Sequence, residues 1–189
     1  METFATLANH DGTEEEFANP RHLRKQLDAL AIAQQTLARK IRGSKRRHLA
    51  KQRVARLHDI VRRQRQNFLH QTTAELAVTR RVIAVEKLSV HAMSASGGPA
   101  KTGLNRELLA ASAGAFHSML AYKAAEAGST IIAVDPRIHK PSQTCSGGGL
   151  SCKKALSERT HVLPDGTVIG RDQNSARNLL AIALGREPT

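Results

Sequence analysis

Residues 81–90 read Arg-Val-Ile-Ala-Val-Glu-Lys-Leu-Ser-Val, a short apolar run that delivers one carboxylate, Glu86. The run is of strand length and its residues Val82, Ile83 and Val85 are β-branched, which predicts a strand covered on both faces. A carboxylate at the end of such a strand is tolerated when it is paired, protonated or bound to a cation. The alternative is a solvated Glu86 just past the strand edge, and this run alone does not separate the two.

A second strand of the same kind is predicted at residues 130–134, Thr-Ile-Ile-Ala-Val, where Pro136 stops it. Between the two strands, the pattern predicts a helix with Asn105 as its N-cap and Gly128 at its end. A strand, helix and strand in this order imply a right-handed parallel crossover and an α/β fold. A last helix is predicted to begin near residue 170.

The amino-terminal part of the chain predicts a strand pair followed by two long helices. Phe4 begins a strand that turns at Asp11 and Gly12 and returns through Phe17. The two helices that follow Pro20 should pack as an antiparallel pair. Their predicted apolar faces are, for the first helix, Leu23, Leu27, Leu30, Leu37 and Ile41 and, for the second, from about 46 to 76, Leu49, Val54, Leu57, Val61, Phe68 and Leu76.

The positive charge of the chain is concentrated in those two helices. The formal net charge is +13, and residues 21–65 contain fifteen Lys or Arg against two acids, so the remainder is neutral. A field this concentrated favours a polyanionic partner, most simply nucleic acid. A solubilising surface and an anionic membrane are the alternatives. Aromatic residues make up only 3% of the chain, which argues against stacking of single-stranded bases as the main binding device.

Packing of the two apolar faces leaves a set of cations on the outside of the pair. The predicted nucleic-acid contacts are Arg39, Lys40, Arg42, Lys45, Arg46, Arg47, Lys51 and Arg53, and the set continues through Arg56, Arg62, Arg63 and Arg65. Arg dominates, as expected where forked donors hold phosphates. Neighbouring charges of one sign repel each other along a helix, so a merely solvated face is a poor explanation.

The sequence predicts a cytoplasmic protein. Residues 1–16 are acidic and lack the apolar core of an export signal. No apolar run approaches the ~20 residues of a membrane span. Two cysteines without such a signal indicate free thiols in a reducing compartment.

Asp172 falls in the first turn of the last predicted helix, where capping alone would explain an acid. Glu86 favours a metal-binding role for Asp172 over capping, because two acids on the rim of one α/β core form the kind of site that holds Mg²⁺ for phosphodiester hydrolysis.

Several motifs, in order along nearly the whole chain, resemble the TnpB (OrfB) family of insertion-sequence transposases, which is similar to compact type V CRISPR effectors. The motifs are Ala84-Val85-Glu86-Lys87-Leu88, Tyr122-Lys123-Ala124 with Gly128, Asp135-Pro136-Arg137, Ser142-Gln143-Thr144-Cys145-Ser146 and residues 171–178, Arg-Asp-Gln-Asn-Ser-Ala-Arg-Asn. The helical pair resembles the family's hairpin in residues 37–40, Gly43-Ser44, Arg47, His58, Arg65 and residues 68–70.

The resemblance implies an α/β, RNase H-like (RuvC-like) core with an inserted basic helical hairpin, a zinc ribbon before the last helix, and RNA-guided cutting of DNA. It implies Mg²⁺ or Mn²⁺ held by Glu86 and Asp172 as the second and third catalytic carboxylates, with Arg171 and Asn174 beside them as nucleic-acid contacts. DNA and a guide RNA are the implied partners. The implied segments are 1–19 and 80–138 in the core, 20–79 as the hairpin, 139–169 as the ribbon-like insertion and 170–189 as the last helix.

Two departures from the family pattern bear on activity. The family's first catalytic Asp lies on a strand just upstream of a segment like Phe4-Ala-Thr-Leu, and this sequence begins without it. We therefore expect the chain as given to cut poorly or not at all. The ribbon is degenerate too: Cys145 matches the first zinc ligand, but Gly148, Leu163 and the Asp165-Gly166 turn stand where the others belong, and Cys152 has the wrong spacing. Structural zinc needs four ligands, so zinc is not expected.

The leading prediction is thus a TnpB-like, metal-dependent endonuclease by descent that is inactive as given. A non-catalytic DNA- or RNA-binding protein acting through the basic hairpin, and a degenerate remnant, are the alternatives. The sequence gives no oligomeric state.

Overall fold

The computed structural model describes residues 2–88, 112–148 and 158–186. The predicted N-cap Asn105 and the thiol of Cys152 lie outside these residues. In chain order the elements are β1 (Thr3–Ala8), β2 (Glu14–Ala18), α1 (His22–Ala38), α2 (Lys45–Thr79), β3 (Val82–Glu86), α3 (Ala113–Ala127), β4 (Thr130–Val134), α4 (Pro136–His139), β5 (Thr160–Val162), β6 (Val168–Gly170) and α5 (Arg171–Ala183).

The two long helices pack against each other, which confirms the predicted pair. Gly43, with φ of +82°, provides the left-handed residue of the turn between them. The hydroxyl of Ser44 then caps α2 by accepting a hydrogen bond from the Arg47 backbone N–H at 3.2 Å.

Two residues of the predicted apolar faces point to solvent instead. Ile41 is 81% exposed, because α1 ends at Ala38 and Ile41 falls in the turn. Leu49 is 63% exposed, because the stripe of α2 that is turned inward begins at the next residue, Ala50. A small side chain at position 50 suits the close approach of two helices.

The strand pair at the amino terminus is confirmed. β1 and β2 run antiparallel and meet around a turn in which the Asp11 carboxylate accepts a hydrogen bond from the Thr13 backbone N–H at 2.9 Å. Glu15 of β2 pairs with Arg80 at the end of α2. Glu14 pairs with Arg177 of α5, whose Nε lies 2.7 Å from the carboxylate. Two ion pairs thus attach the β1–β2 strand pair to the end of α2 and to α5.

β3 and β4 form the predicted parallel pair, with Glu86 opposite Val134 at its end. α3 stops at Gly128, which adopts φ of +73° as expected for a helix-ending glycine. The strand is less covered than predicted, since Val82 is 53% exposed and the rest of β3 is half-buried. Among the described residues β3 pairs with one strand, β4, and the first residue of β3 lies at the rim.

The described strands form three separate two-stranded sheets, β1–β2, β3–β4 and β5–β6. The mixed α/β class is confirmed, whereas these residues show no single continuous sheet. The RNase H-like arrangement therefore remains an expectation from the family.

One apolar core joins the elements. Leu69 and Leu76 of α2 pack with Phe116 and Leu120 of α3, and side chains from β1 to β4 close over them. Phe4 stacks edge-on against Phe116, with 5.2 Å between ring centroids. Because this core holds the carboxyl-terminal half of α2, the other half projects away with α1. Across the described ranges, no helix has both the length and the apolar character needed to cross a membrane.

Candidate nucleic-acid interface and carboxylate site

The distal half of the α1–α2 hairpin displays most of the cations predicted to bind nucleic acid. α2 has 35 residues, which corresponds to a length of about 52 Å. Of the predicted contacts, Lys40 is half-buried and the following are exposed: Arg39, Arg42, Lys45, Arg46, Lys51 and Arg53. No side chain of these six exposed residues is hydrogen-bonded or ion-paired within residues 2–88, 112–148 and 158–186. Their charges are therefore available to a ligand.

Arg47 has a structural role that the sequence did not predict. Its Nη1 donates to the backbone carbonyl oxygens of Leu37 and Lys40, at 3.0 and 3.1 Å. Carbonyls at a helix end lack intrahelical donors, and an Arg there satisfies them and complements the helix dipole. Arg47 is half-buried and joins the two helices at the turn. Beside it, a cavity of about 220 Å³ is lined by Gly43, Ser44, Arg47, His48 and Lys51.

Nearer the core, the cationic side chains form ion pairs and hydrogen bonds. Arg62 and Arg63 both pair with Asp59, and the Arg63 Nε lies 2.7 Å from its carboxylate. Arg65 donates to the Ser112 hydroxyl at 2.9 Å, which ties α2 to the start of α3. The unpartnered positive charge therefore increases toward the tip of the hairpin.

Glu86 occupies the carboxyl end of β3, as predicted, and is half-buried. Burial raises the pKa of its carboxyl above the usual range. No Lys, Arg or hydrogen-bond donor among the described residues partners it. Glu86 is thus partly shielded from solvent without a partner among the described residues, and a carboxylate in this setting is one that a proton or a cation would stabilise.

Asp172 is exposed in the first turn of α5. The turn is capped by another residue, since Gln173 Oε1 accepts the Gly170 backbone N–H at 2.9 Å. The Asp172 carboxylate makes no hydrogen bond or ion pair with any residue that the structure describes. Asp172 therefore does not cap the helix through a hydrogen bond, although an acid in the first turn still complements the helix dipole.

A cavity of about 510 Å³ lies beside β3 and α5. Its lining includes Val82 and Ala84 of β3 and Leu180 and Ala183 near the end of α5. Neither Glu86 nor Asp172 lines it. Within the described ranges, no three His, Cys, Asp or Glu side chains are grouped closely enough to hold a metal ion.

Asn174, predicted to lie beside the carboxylates and contact nucleic acid, is instead fully buried. Its Nδ2 donates to Pro141 O at 3.2 Å and Thr144 O at 2.7 Å, and its Oδ1 accepts the Ser146 backbone N–H at 2.9 Å. A buried amide committed to three backbone groups cannot also reach a ligand. The structure thus gives Asn174 the role of fixing the segment after α4.

Asn178, one turn later and also fully buried, completes this attachment. Its Nδ2 donates to the same two carbonyl oxygens, at 2.8 and 2.7 Å. The sequence analysis missed this role, although two Asn residues at i and i+4 on the apolar side of a helix are a readable signal. The neighbouring Arg171 is half-buried, and its backbone N–H donates to Arg159 O at 2.8 Å.

The positions expected for zinc ligands are packed against each other without a ligand set. An ideal Cβ on Gly148 would lie 2.9 Å from Pro164 Cγ, so a side chain there requires a shift. Cys145 is a free thiol whose Sγ lies 3.9 Å from Val162 O. His161 is buried, with Nε2 3.2 Å from Ser142 O. These residues do not fit a four-ligand zinc site.

The chain matches models of known protein families and is similar to known proteins. The family model OrfB_IS605, described as "Probable transposase", matches residues 1–97, and that of the Cas12f1-like TNB domain matches residues 114–179. A "Putative RNA-guided DNA endonuclease" from Streptomyces pristinaespiralis is 34% identical over 91% of this chain and 42% of its own length. The "Putative RNA-guided DNA endonuclease InsQ" from Escherichia coli is 33% identical over 94% of this chain and 46% of its own.

The chain thus spans less than half the length of these curated relatives. The OrfB_IS605 match covers just over half of this chain and includes both the hairpin and the Glu86 strand. The chain belongs to the OrfB_IS605 family of insertion-sequence transposases.

Proposed function

We propose that this chain binds nucleic acid through the distal part of the α1–α2 hairpin. The observation that carries the proposal is the concentration of charge, with fifteen Lys or Arg against two acids in residues 21–65. Most of the predicted contacts are exposed and unpaired in the structure. Charges of one sign at helical spacing destabilise the hairpin until a polyanion neutralises them.

The relatives support DNA and RNA as the two ligands, because both are named as RNA-guided DNA endonucleases. We propose that the hairpin contacts the phosphates of the guide RNA, the target DNA or both. Contacts of this kind position the ligand and carry no sequence information. Recognition of a target sequence would therefore depend on the guide.

We further propose that Glu86 and Asp172 are ligands for Mg²⁺ or Mn²⁺. Carboxylate oxygens are suitable donors for these ions. The half-buried Glu86 supports this role, as does Asp172, because neither carboxylate has a partner among the residues that the structure describes. The metal would activate water and stabilise the leaving oxygen during phosphodiester cleavage.

Two carboxylates are fewer than a two-metal nuclease site uses, and residues 2–88, 112–148 and 158–186 contain no group of three His, Cys, Asp or Glu side chains that could hold a metal ion. We therefore propose that this chain, tested alone, binds nucleic acid without efficient cleavage. This observation favours the second candidate function as well, a non-catalytic DNA- or RNA-binding protein. The two candidates share the hairpin and differ in whether Glu86 matters to chemistry.

Binding and cleavage assays separate the candidates. Affinity for a labelled duplex is measured across a salt series, and log K should fall linearly with log salt, with a slope of about −0.9 per phosphate contacted on DNA. Salt-insensitive binding would refute the hairpin as the interface. Cleavage is then sought with Mg²⁺ and Mn²⁺, for the chain and for Glu86→Gln. Any cleavage should disappear in the variant while binding is unchanged, and cleavage that survives would remove Glu86 from the site.

A further inference from the structure

One flank of α2 carries cations and exposed aliphatic side chains in a single line. Leu49, Arg53, Arg56 and Ile60 follow each other at spacings of four, three and four residues, which places them on one side of a helix. All four are exposed, and we call them the outer stripe. The buried stripe of the distal half of α2, which includes Ala50 and Val61, is the one turned inward.

The two arginines of the outer stripe are free to bind a ligand. Neither Arg53 nor Arg56 is hydrogen-bonded or ion-paired to a residue that the structure describes. They differ in this from Arg62 and Arg63, which share Asp59. Along the helix axis the two lie about 4.5 Å apart, so one backbone segment of a ligand can meet both.

The aliphatic residues bracket those arginines. Leu49 is 63% exposed and Ile60 is 42% exposed, and about 16.5 Å of helix separates them. Neither contributes to the buried core of the hairpin. A ligand that satisfies the whole outer stripe therefore offers anionic groups at its centre and apolar surface on both sides.

The sugar–phosphate backbone of a duplex has this chemistry, since its phosphates are anionic and its sugar rings present C–H surface. We propose that a nucleic-acid duplex lies along the outer stripe, with Arg53 and Arg56 on its phosphates and Leu49 and Ile60 packed against its sugars. The inference rests on the proposed function and adds that part of the affinity is independent of salt. Charge complementarity favours this occupant over a protein surface, because the outer stripe holds two cations and no acid.

The test uses the full chain, with DNA and RNA duplexes of equal length as separate arms. Affinity is measured by fluorescence anisotropy over a salt series. For the double variant Leu49→Ala with Ile60→Ala we expect about a tenfold loss of affinity at every salt concentration and an unchanged salt slope, as for the loss of a few buried methylene groups. For Arg53→Gln with Arg56→Gln we expect the slope on DNA to flatten by about 1.8, from 0.9 for each phosphate contact.

A control variant removes two other exposed aliphatic side chains of the same helices, which lie outside the outer stripe. Ile32 on α1 and Val78 near the end of α2 are 62% and 79% exposed. The double variant Ile32→Ala with Val78→Ala should bind like the unaltered chain. All of these positions are exposed, so the variants should fold, and circular dichroism verifies this.

The outcomes distinguish the two proposals. If the unaltered chain binds either duplex with a steep salt slope but the Leu49 and Ile60 variant equals the control variant, the outer stripe is overturned and the proposed function stands. If the unaltered chain shows no salt-dependent binding, the proposed function itself fails. A loss of self-association in sedimentation, with duplex binding unchanged, would assign the aliphatic side chains to contacts between copies of the chain and refute duplex binding along the outer stripe.

Discussion

The two buried asparagines of α5 allow a prediction in which one substitution serves as the control for the other. Asn174 and Asn178 lie on the same helix, and both are fully buried. Replacing either by Ala therefore removes the same atoms from a comparable setting. Asn174 makes three hydrogen bonds to backbone groups, whereas Asn178 makes two.

The expected costs differ because of what each change leaves unpaired. Asn174→Ala deprives the Ser146 N–H of its acceptor and deletes three bonds, which at about 1 kcal/mol each amounts to about 3 kcal/mol. Asn178→Ala leaves both carbonyls bonded to Asn174 and removes an Oδ1 that is buried without a partner among the described residues. We expect it to cost about 1 kcal/mol.

The assay is thermal and urea unfolding of both variants, followed by circular dichroism. A difference of about 2 kcal/mol corresponds to melting temperatures about 4–8 °C apart for a chain of this size. The variant at position 174 should be the less stable. An equal loss, or a larger loss for Asn178→Ala, would refute the assignment of Asn174 as the residue that fixes the segment after α4.

Three further outcomes follow from single side chains. Burial raises the pKa of Glu86, so the folded protein keeps a proton that the unfolded chain releases as pH rises through the ordinary glutamate range. The free energy of unfolding should fall over that pH range, and the fall should be absent in Glu86→Gln. Added Mn²⁺ should raise the melting temperature of the parent chain only. An equal rise in Glu86→Gln would show that Glu86 does not bind the cation. Arg47→Ala should cost about 1–3 kcal/mol in urea unfolding, as its two hydrogen bonds to carbonyls at the hairpin turn are lost; an unchanged midpoint would show that the turn does not need them. Gly148→Val should lower the melting temperature by forcing Pro164 aside; an unchanged melting temperature would contradict the packing account.

The larger elements were predictable because local patterns determine them. Hydrophobic periodicity identified α1 and α2, and the turn residues Asp11 and Gly12 identified the β1–β2 hairpin. The apolar runs on either side of α3 gave the parallel pair β3–β4, and Gly128 gave the end of the helix between them. In each case one short stretch of chain carries the information.

The errors arose where packing between distant segments decides the outcome. Periodicity placed Leu49 on the inner face, but the register between the two helices turned Ala50 inward. Asn174 looked like a surface contact because its role depends on carbonyls about 30 residues earlier in the chain. The role of Arg47 was not predictable from its type, because it depends on the turn that brings its side chain to the end of α1. Local patterns do not contain these contacts.

The central claim is that the distal hairpin is the nucleic-acid interface, and two variants of equal net charge test it most directly. One replaces Arg39, Arg42, Arg46 and Arg53 by Gln; the other replaces four exposed cations outside the hairpin, Lys87, Arg137, Lys140 and Arg186. Salt-dependent anisotropy with a DNA duplex should show the slope flattening in the first variant, by about 0.9 for each phosphate that its side chains no longer reach, and remaining near that of the parent chain in the second. Equal changes in both variants would mean that overall charge, and not the hairpin, accounts for binding.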